Sequence, residues 1–212
     1  MGRGSPCPFS FWRTMKLVFA THNKDKFTEI SAILDGLPVE ILTADDFPDF
    51  PETIEDGATC EANALKKSRE MREFSGFAAI ADDTGLYVEA LHGAPGIFAA
   101  RYAGPDATYE DNWRKLLRDM TNIPDSERGA FFMTVAALAL PDGREFTCEG
   151  RLPGRIAHEP RGEMGFGYDP IFELNDGRTL AEIEVREKNA ISHRAKAFVR
   201  MRAIIEKLVA EQ

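Results

Sequence analysis

Two stretches of strand character, Ala130 to Leu140 and Glu145 to Ile156, are joined by Pro141-Asp142-Gly143. Pro-Asp-Gly between two such runs is compact turn chemistry and predicts a long β-hairpin. Helical patterns lie before and after it, so the chain reads as a mixed α/β protein with antiparallel strands between helical segments.

The first half supplies shorter elements. Lys16 to Thr21 is an apolar run suited to a buried strand, and Asn23 can cap a helix that places Phe27, Ile30 and Leu34 on one face. Val39 to Leu42 predicts a second strand. An acidic loop over residues 45–57, interrupted by Pro48 and Pro51, follows as a candidate site or lid. A helix is expected from about Thr59 to Glu73, then a buried strand from Phe77 to Ala81 that ends at Asp82-Asp83-Thr84-Gly85. Leu86 to Leu91 resumes a strand pattern. Thr108 and Asp111 form a capping-box pair ahead of a helix with Trp113, Leu116, Leu117 and Met120 inward. After a Gly-rich loop the chain ends in one long helix carrying Ile191, Ala195, Phe198, Ile205 and Leu208 at helical spacing.

Composition narrows the function classes. With 26 basic and 35 acidic side chains the net charge is −9, which argues against nucleic acid or an anionic membrane as a bulk partner. A polyphosphate ligand would need local cations or metal. The three cysteines, Cys7, Cys60 and Cys148, form no CxxC pair, and a reducing cytoplasm is the expected compartment. The longest apolar run, Phe131 to Leu140, is about half the ~20 residues of a membrane helix. Residues 1–14 lack periodicity and a signal-peptide core, and read as a disordered extension or an upstream start before Met15. Residues 15–212 read as a single domain.

Three constellations can carry chemistry. Thr21 to Lys26 sits where a strand gives way to a helix, so backbone N–H groups and two lysines can converge on an anion, although a solvated helix cap explains the segment equally well. Asp82 and Asp83 end an apolar strand and point to opposite faces, so one can coordinate metal or activate water while the other organises the loop. Glu55 can bring a further oxygen ligand to the same cation. Gly165 to Pro170 offers aromatic rings and flexible backbone to a planar base, or simply a tight turn packed in the core. Lys188 and Ser192-His193-Arg194, by themselves, read as a capped basic helix start.

Taken in order, these stretches resemble the inosine triphosphatase family of non-canonical purine nucleoside triphosphate pyrophosphatases. The motifs are T-x-N-x-x-K at Thr21 to Lys26, E-D-G-x-T-x-x-x-N-A at Glu55 to Ala64, the long run from Ala81 to Gly104, GFGYDPIF at Gly165 to Phe172, and K-N-A-I-S-H-R at Lys188 to Arg194. The resemblance implies a two-lobed fold with a central mixed, elongated sheet flanked by helices, a nucleotide cleft between the lobes, magnesium dependence and a homodimer. It also implies cytoplasmic hydrolysis of ITP, dITP or XTP to the monophosphate and pyrophosphate. Carried onto this chain, Asp83 prepares the water, and Glu55 and Asp83, with Asp82 a further candidate, hold magnesium. Thr21, Asn23 and Lys26 grip the phosphates. Phe166 stacks on the base, with Gly167, Tyr168, Asp169, Lys188, His193 and Arg194 around its edge. Thr84, also expected to contact substrate, keeps a hydroxyl where the family usually has serine, and Asp56, Ala62 and Ala195 also depart from its pattern.

Overall fold

The computed structural model describes residues 15–211. The expected extension over residues 1–14 therefore lies outside the described residues.

The hairpin forms as its sequence predicts. Strand β5 (Gly129–Ala139) runs antiparallel to β6 (Glu145–Ile156) along its whole length, from Gly129 opposite Arg155 to Ala139 opposite Glu145. It is the middle of a seven-stranded mixed sheet. On one side lie β1 (Met15–Phe19), β2 (Val39–Thr43) and β3 (Ala78–Val88), mutually parallel in the order β2-β1-β3. The two-residue strand β4 (Pro95–Gly96) pairs with β3, and β7 (Phe172–Glu173) with the end of β6.

Helices cover both faces. Helix α1 (Lys24–Leu34) and helix α5 (His193–Ala210) pack on one face, where Leu17, Phe19, Ile30, Leu138, Phe198 and Met201 form a core with no more than 2% exposure. Helix α2 (Cys60–Ser75) covers the other, with Cys60 and Ala64 against Val135 and Ala137. A second core, at the far end of β3 and β5, gathers Leu86, Phe132, Ile156 and Phe172 around Leu116 of helix α3 (Tyr109–Asp119) and Met120 at its C-cap. Arg128, 1% exposed, fastens that end by donating to the carbonyls of Met120, Ile123, Ile156 and Ala157. Among the described residues no helix is long and apolar enough to cross a membrane.

Three expectations are corrected, the smallest being the strand pattern from Leu86 to Leu91, which stops at Val88 where Glu89–Leu91 turn in a short 3-10 helix. The strand does not end at Ala81 but continues through Asp82-Asp83-Thr84-Gly85, because β5 pairs with it from Ala79 to Val88 without a break. Gly85 belongs to the strand for a steric reason: a Cβ there would lie 2.7 Å from the Tyr87 ring and 2.9 Å from the Gly96 carbonyl. The single terminal helix is two helices, α4 (Val185–Ile191) and α5, broken at Ser192. Ser192 is extended, with ψ 159°, and its hydroxyl accepts from the Ala195 N–H as the N-cap of α5.

Candidate active site

Strand β3 crosses the middle of the sheet, and its alternation sends Asp82 and Asp83 to opposite faces, as the sequence predicts. Both are buried, at 3% and 5% exposure. Asp82 faces α1 and α5. Its Oδ2 lies 3.1 Å from Lys26 Nζ and 3.4 Å from Arg194 Nε, and it also accepts from the Thr84 hydroxyl at 3.3 Å. Burial pushes its carboxyl toward protonation, but Lys26, Arg194 and Lys67 outweigh that and hold its pKa well below the usual carboxylate range.

Asp83 faces α2. Asn63, fully buried on that helix, donates to Asp83 Oδ2 at 3.3 Å, and Lys67 Nζ lies 3.6 Å from Asp83 Oδ1. The same ammonium is 2.6 Å from Glu55 Oε1, so Lys67 stands between the two carboxylates. Asn63 also accepts the Gly57 N–H at 2.8 Å, which ties the acidic loop to the helix that carries Lys67. Arg101 completes the anchorage by donating to the Glu55 carbonyl at 3.1 Å. Burial raises the Asp83 pKa; Lys67 opposes this, and the negative Glu55 adds to it, leaving a net upward shift. The Glu55 pKa is lowered, since Lys67 overcomes the effect of its burial.

Beyond Asp82 the sheet face leads to the Gly-rich loop. Lys188, 3% exposed, reaches Asp169 at 2.6 Å and Glu29 at 2.9 Å. Arg194 reaches the other Glu29 oxygen at 2.6 Å and Thr84 at 3.4 Å. Asp169 accepts the Phe166 N–H at 2.9 Å, which sets the loop so that Lys188 and Arg194 lie 4.7 and 5.5 Å from the Phe166 ring centre. Both cations are thus buried and paired, which corrects the bland picture of a solvated basic helix start. His193 stacks on Phe132 with ring centres 4.5 Å apart, and burial beside Arg194 and Lys188 drives its pKa well below the ordinary value. Tyr168 is buried with its hydroxyl donated to the Ala99 carbonyl at 2.8 Å, so its phenol serves the fold.

These groups line one cleft made of two adjoining hollows. The smaller, ≈ 230 Å³, is bordered by Phe166, Gly167, Asp169, Lys188, His193 and Arg194, with Asp83 and Thr84 at its floor. The larger, ≈ 580 Å³, is bordered by Thr21, Lys67, Arg101 and the acidic loop from Phe50 to Glu55. Asn23, Lys26 and Glu55 border both. Asn23 caps α1, accepting the Lys26 N–H at 3.0 Å, while Thr21 accepts the Asn23 N–H at 3.1 Å. Of the two lysines expected to converge here, Lys26 lines the cleft and Lys24 is exposed on α1.

The donor set suits a hard cation shared with a ligand. Among the described residues no group of three or more His, Cys, Asp or Glu could cage a metal. Two carboxylates, Glu55 and Asp83, face one ammonium, and Glu55 and Lys67 line the larger hollow, which fits magnesium's habit of binding one or two carboxylates with water and phosphate oxygens.

Sequence reasoning assigned no role to Glu29, Asn63, Lys67 or Tyr109. A signal existed for the first three: Glu29 follows Lys26 by three residues on α1, and Lys67 follows Asn63 by four on α2, so each shares a helix face with a motif residue. Tyr109, in the first turn of α3, accepts from Asn23 Nδ2 at 3.0 Å from across the chain.

A model of the Ham1 family matches residues 17–204. A dITP/XTP pyrophosphatase of Geobacter sulfurreducens is 50% identical over 184 residues, 86% of this chain and 92% of that protein. One of Streptomyces coelicolor is 47% identical over 197 residues, 92% and 98% of the two chains. Among solved structures, a HAM1 protein from Coxiella burnetii has a TM-score of 0.85 and 38% identity, covering 92% of this chain and 100% of its own. A nucleoside-triphosphatase / dITP/XTP pyrophosphatase from Mycobacterium abscessus has a TM-score of 0.74 and 43% identity, covering 88% and 98%. The resemblance carried by the five motifs and the expected mixed sheet flanked by helices are borne out, and the chain belongs to the Ham1 family.

Proposed function

We propose that this protein hydrolyses non-canonical purine nucleoside triphosphates, ITP, dITP and XTP, to the nucleoside monophosphate and pyrophosphate, clearing deaminated purines from the nucleotide pool. The observation that carries the reading is Asp83: a buried carboxylate lining the aromatic hollow, held by Asn63 and Lys67 beside Glu55, which borders both that hollow and the larger one. The relatives that bear the name dITP/XTP pyrophosphatase support it.

Water attacks the α-phosphorus, the bond to the bridging oxygen breaks, and pyrophosphate leaves. Asp83 orients that water and takes its proton. Lys26, Thr21 and Asn23, at the N-terminus of α1, hold the phosphates, with the helix dipole and free N–H groups favouring the anion. Glu55 and Asp83 would hold magnesium, which when bound neutralises phosphate charge and stabilises the leaving oxygen. Lys67 keeps the two carboxylates paired and apart from one another.

The base lies in the smaller hollow against Phe166. Arg194 uses three of its five N–H donors on Glu29, Asp82 and Thr84, and its remaining donors suit the acceptor of a 6-oxo purine. Adenine presents an amino group there and leaves donors facing donors, a mismatch that costs about 1–3 kcal/mol per unpaired group. In this role residues 15–212 act as one domain with a lobe on either side of the cleft, working as a homodimer in the cytoplasm on small-molecule nucleotides.

The test incubates the protein and magnesium with ITP, XTP, dITP, GTP and ATP and identifies the products. Monophosphate and pyrophosphate from ITP or XTP, with ATP left intact, is the expected result. Diphosphate and orthophosphate, or no turnover, contradicts it.

A further inference from the structure

We infer that Tyr109 is a substrate-contacting residue that packs its ring along the pentose of the bound nucleotide, an inference that rests on the nucleotide reading above. Tyr109 is 45% exposed, yet its side chain spans the cleft. Its hydroxyl accepts from Asn23 Nδ2 at 3.0 Å, and its ring centre lies 5.9 Å from that of Phe166, tilted by 39°. Asn23 borders both hollows and, in the reading above, holds phosphate, whereas Phe166 borders only the base hollow. The covalent order of a nucleotide is base, sugar, phosphate, so the group that bridges the two ends of the cleft lies beside the sugar.

The spacing also excludes the obvious alternative. A base sandwiched between two rings needs ~3.5 Å on each face, about 7 Å in all. The Tyr109 and Phe166 rings are closer than that and not parallel, so Tyr109 is not the second leaf of a base sandwich. The hydroxyl oxygen accepts from Asn23 and keeps its proton to donate, while the ring presents the larger face, an apolar one that suits the hydrocarbon face of a pentose. Such a contact does not require a 2′-hydroxyl and serves ribose and deoxyribose alike.

The mount is fixed rather than loose. Thr108 and Asp111 close a capping box at the start of α3. Asn112, 1% exposed, donates to the Ala100 carbonyl at 3.0 Å and accepts the Ala103 N–H at 2.7 Å, clamping the helix start to the cleft wall.

Steady-state kinetics with ITP and with dITP, on wild type, Tyr109→Ala and Tyr109→Phe, test the assignment. Tyr109→Ala is expected to raise KM about tenfold for both substrates with kcat within about twofold, as for loss of uniform binding. Tyr109→Phe keeps the ring and is expected to keep KM within about threefold. A Tyr109→Ala enzyme with unchanged KM, a rise confined to ITP, or equal rises in the two variants would each overturn the sugar assignment. A wild type that makes no monophosphate and pyrophosphate from either substrate would overturn the nucleotide reading instead.

Discussion

Glu29 Oε2 and Arg194 Nη1 meet at 2.6 Å, joining residues 165 positions apart in the chain with both side chains nearly free of solvent. The second Glu29 oxygen is 2.9 Å from Lys188. One carboxylate therefore compensates two buried cations at the base end of the cleft.

Replacing Glu29 by alanine leaves Lys188 with Asp169 and Arg194 with Asp82, which Lys26 also shares, so the buried cluster is one negative charge short. Removing one partner of a buried ion pair costs about 3–5 kcal/mol, far more than the net worth of the pair, because the remaining charge stays desolvated. Urea denaturation is expected to show a loss of that order for Glu29→Ala. A loss below about 1 kcal/mol would match an exposed ion pair and contradict the burial argument.

Gly57 tests the coupling between the acidic loop and the catalytic carboxylate. A Cβ at Gly57 would come 2.6 Å from Asn63 Oδ1 and 2.9 Å from the Ala62 Cβ, so Gly57→Ala must displace either the loop or Asn63, which itself holds Asp83. Misplacing a reactive group by 1 Å can cost about a hundredfold in rate. The kcat for ITP is expected to fall between about tenfold and a hundredfold while the protein stays folded by circular dichroism. Wild-type kcat would show that the loop and Asp83 are independent.

His193 predicts a pH dependence of stability. Its folded pKa lies well below the unfolded value of about 6.5, so the unfolded chain binds a proton that the folded chain refuses. The associated stability is complete above pH ~6.5 and is lost as pH falls toward the folded pKa, with a slope approaching about 1.4 kcal/mol per pH unit. Denaturation free energies measured from pH 7 to pH 5 should decline more steeply for wild type than for His193→Gln. Parallel curves would mean that His193 takes up its proton in the folded state.

Most elements were legible because local signals agreed with tertiary demands. The Asn23 cap, the Thr108-Asp111 capping box and the Pro-Asp-Gly turn all lie where their chemistry predicts. Two departures in charged segments share one physical origin. Asp82-Asp83-Thr84-Gly85 reads as a turn because adjacent carboxylates beside glycine are a solvent signature, yet Lys26, Arg194, Lys67 and Asn63 arrive from three helices and make their burial tolerable. Lys188 and Arg194 read as solvated for the mirror-image reason. Their counter-charges, Asp169 and Glu29, are distant in sequence, and no local pattern announces a pair separated by 165 residues. The site residues quoted from the motifs do converge on one cleft. Glu29 and Lys67, which organise it, were hidden as ordinary charged positions on helices whose apolar faces drew the attention.

The central claim is that Asp83 prepares the attacking water, and the kcat of Asp83→Asn with ITP and magnesium tests it most directly. Asparagine keeps the shape of the side chain, including an acceptor for Asn63, but cannot take a proton. A positioned general base contributes about 10²–10⁴ in rate, so kcat is expected to fall by that factor with the melting temperature retained. A variant that still forms IMP and pyrophosphate with kcat within about twofold of wild type would contradict the account.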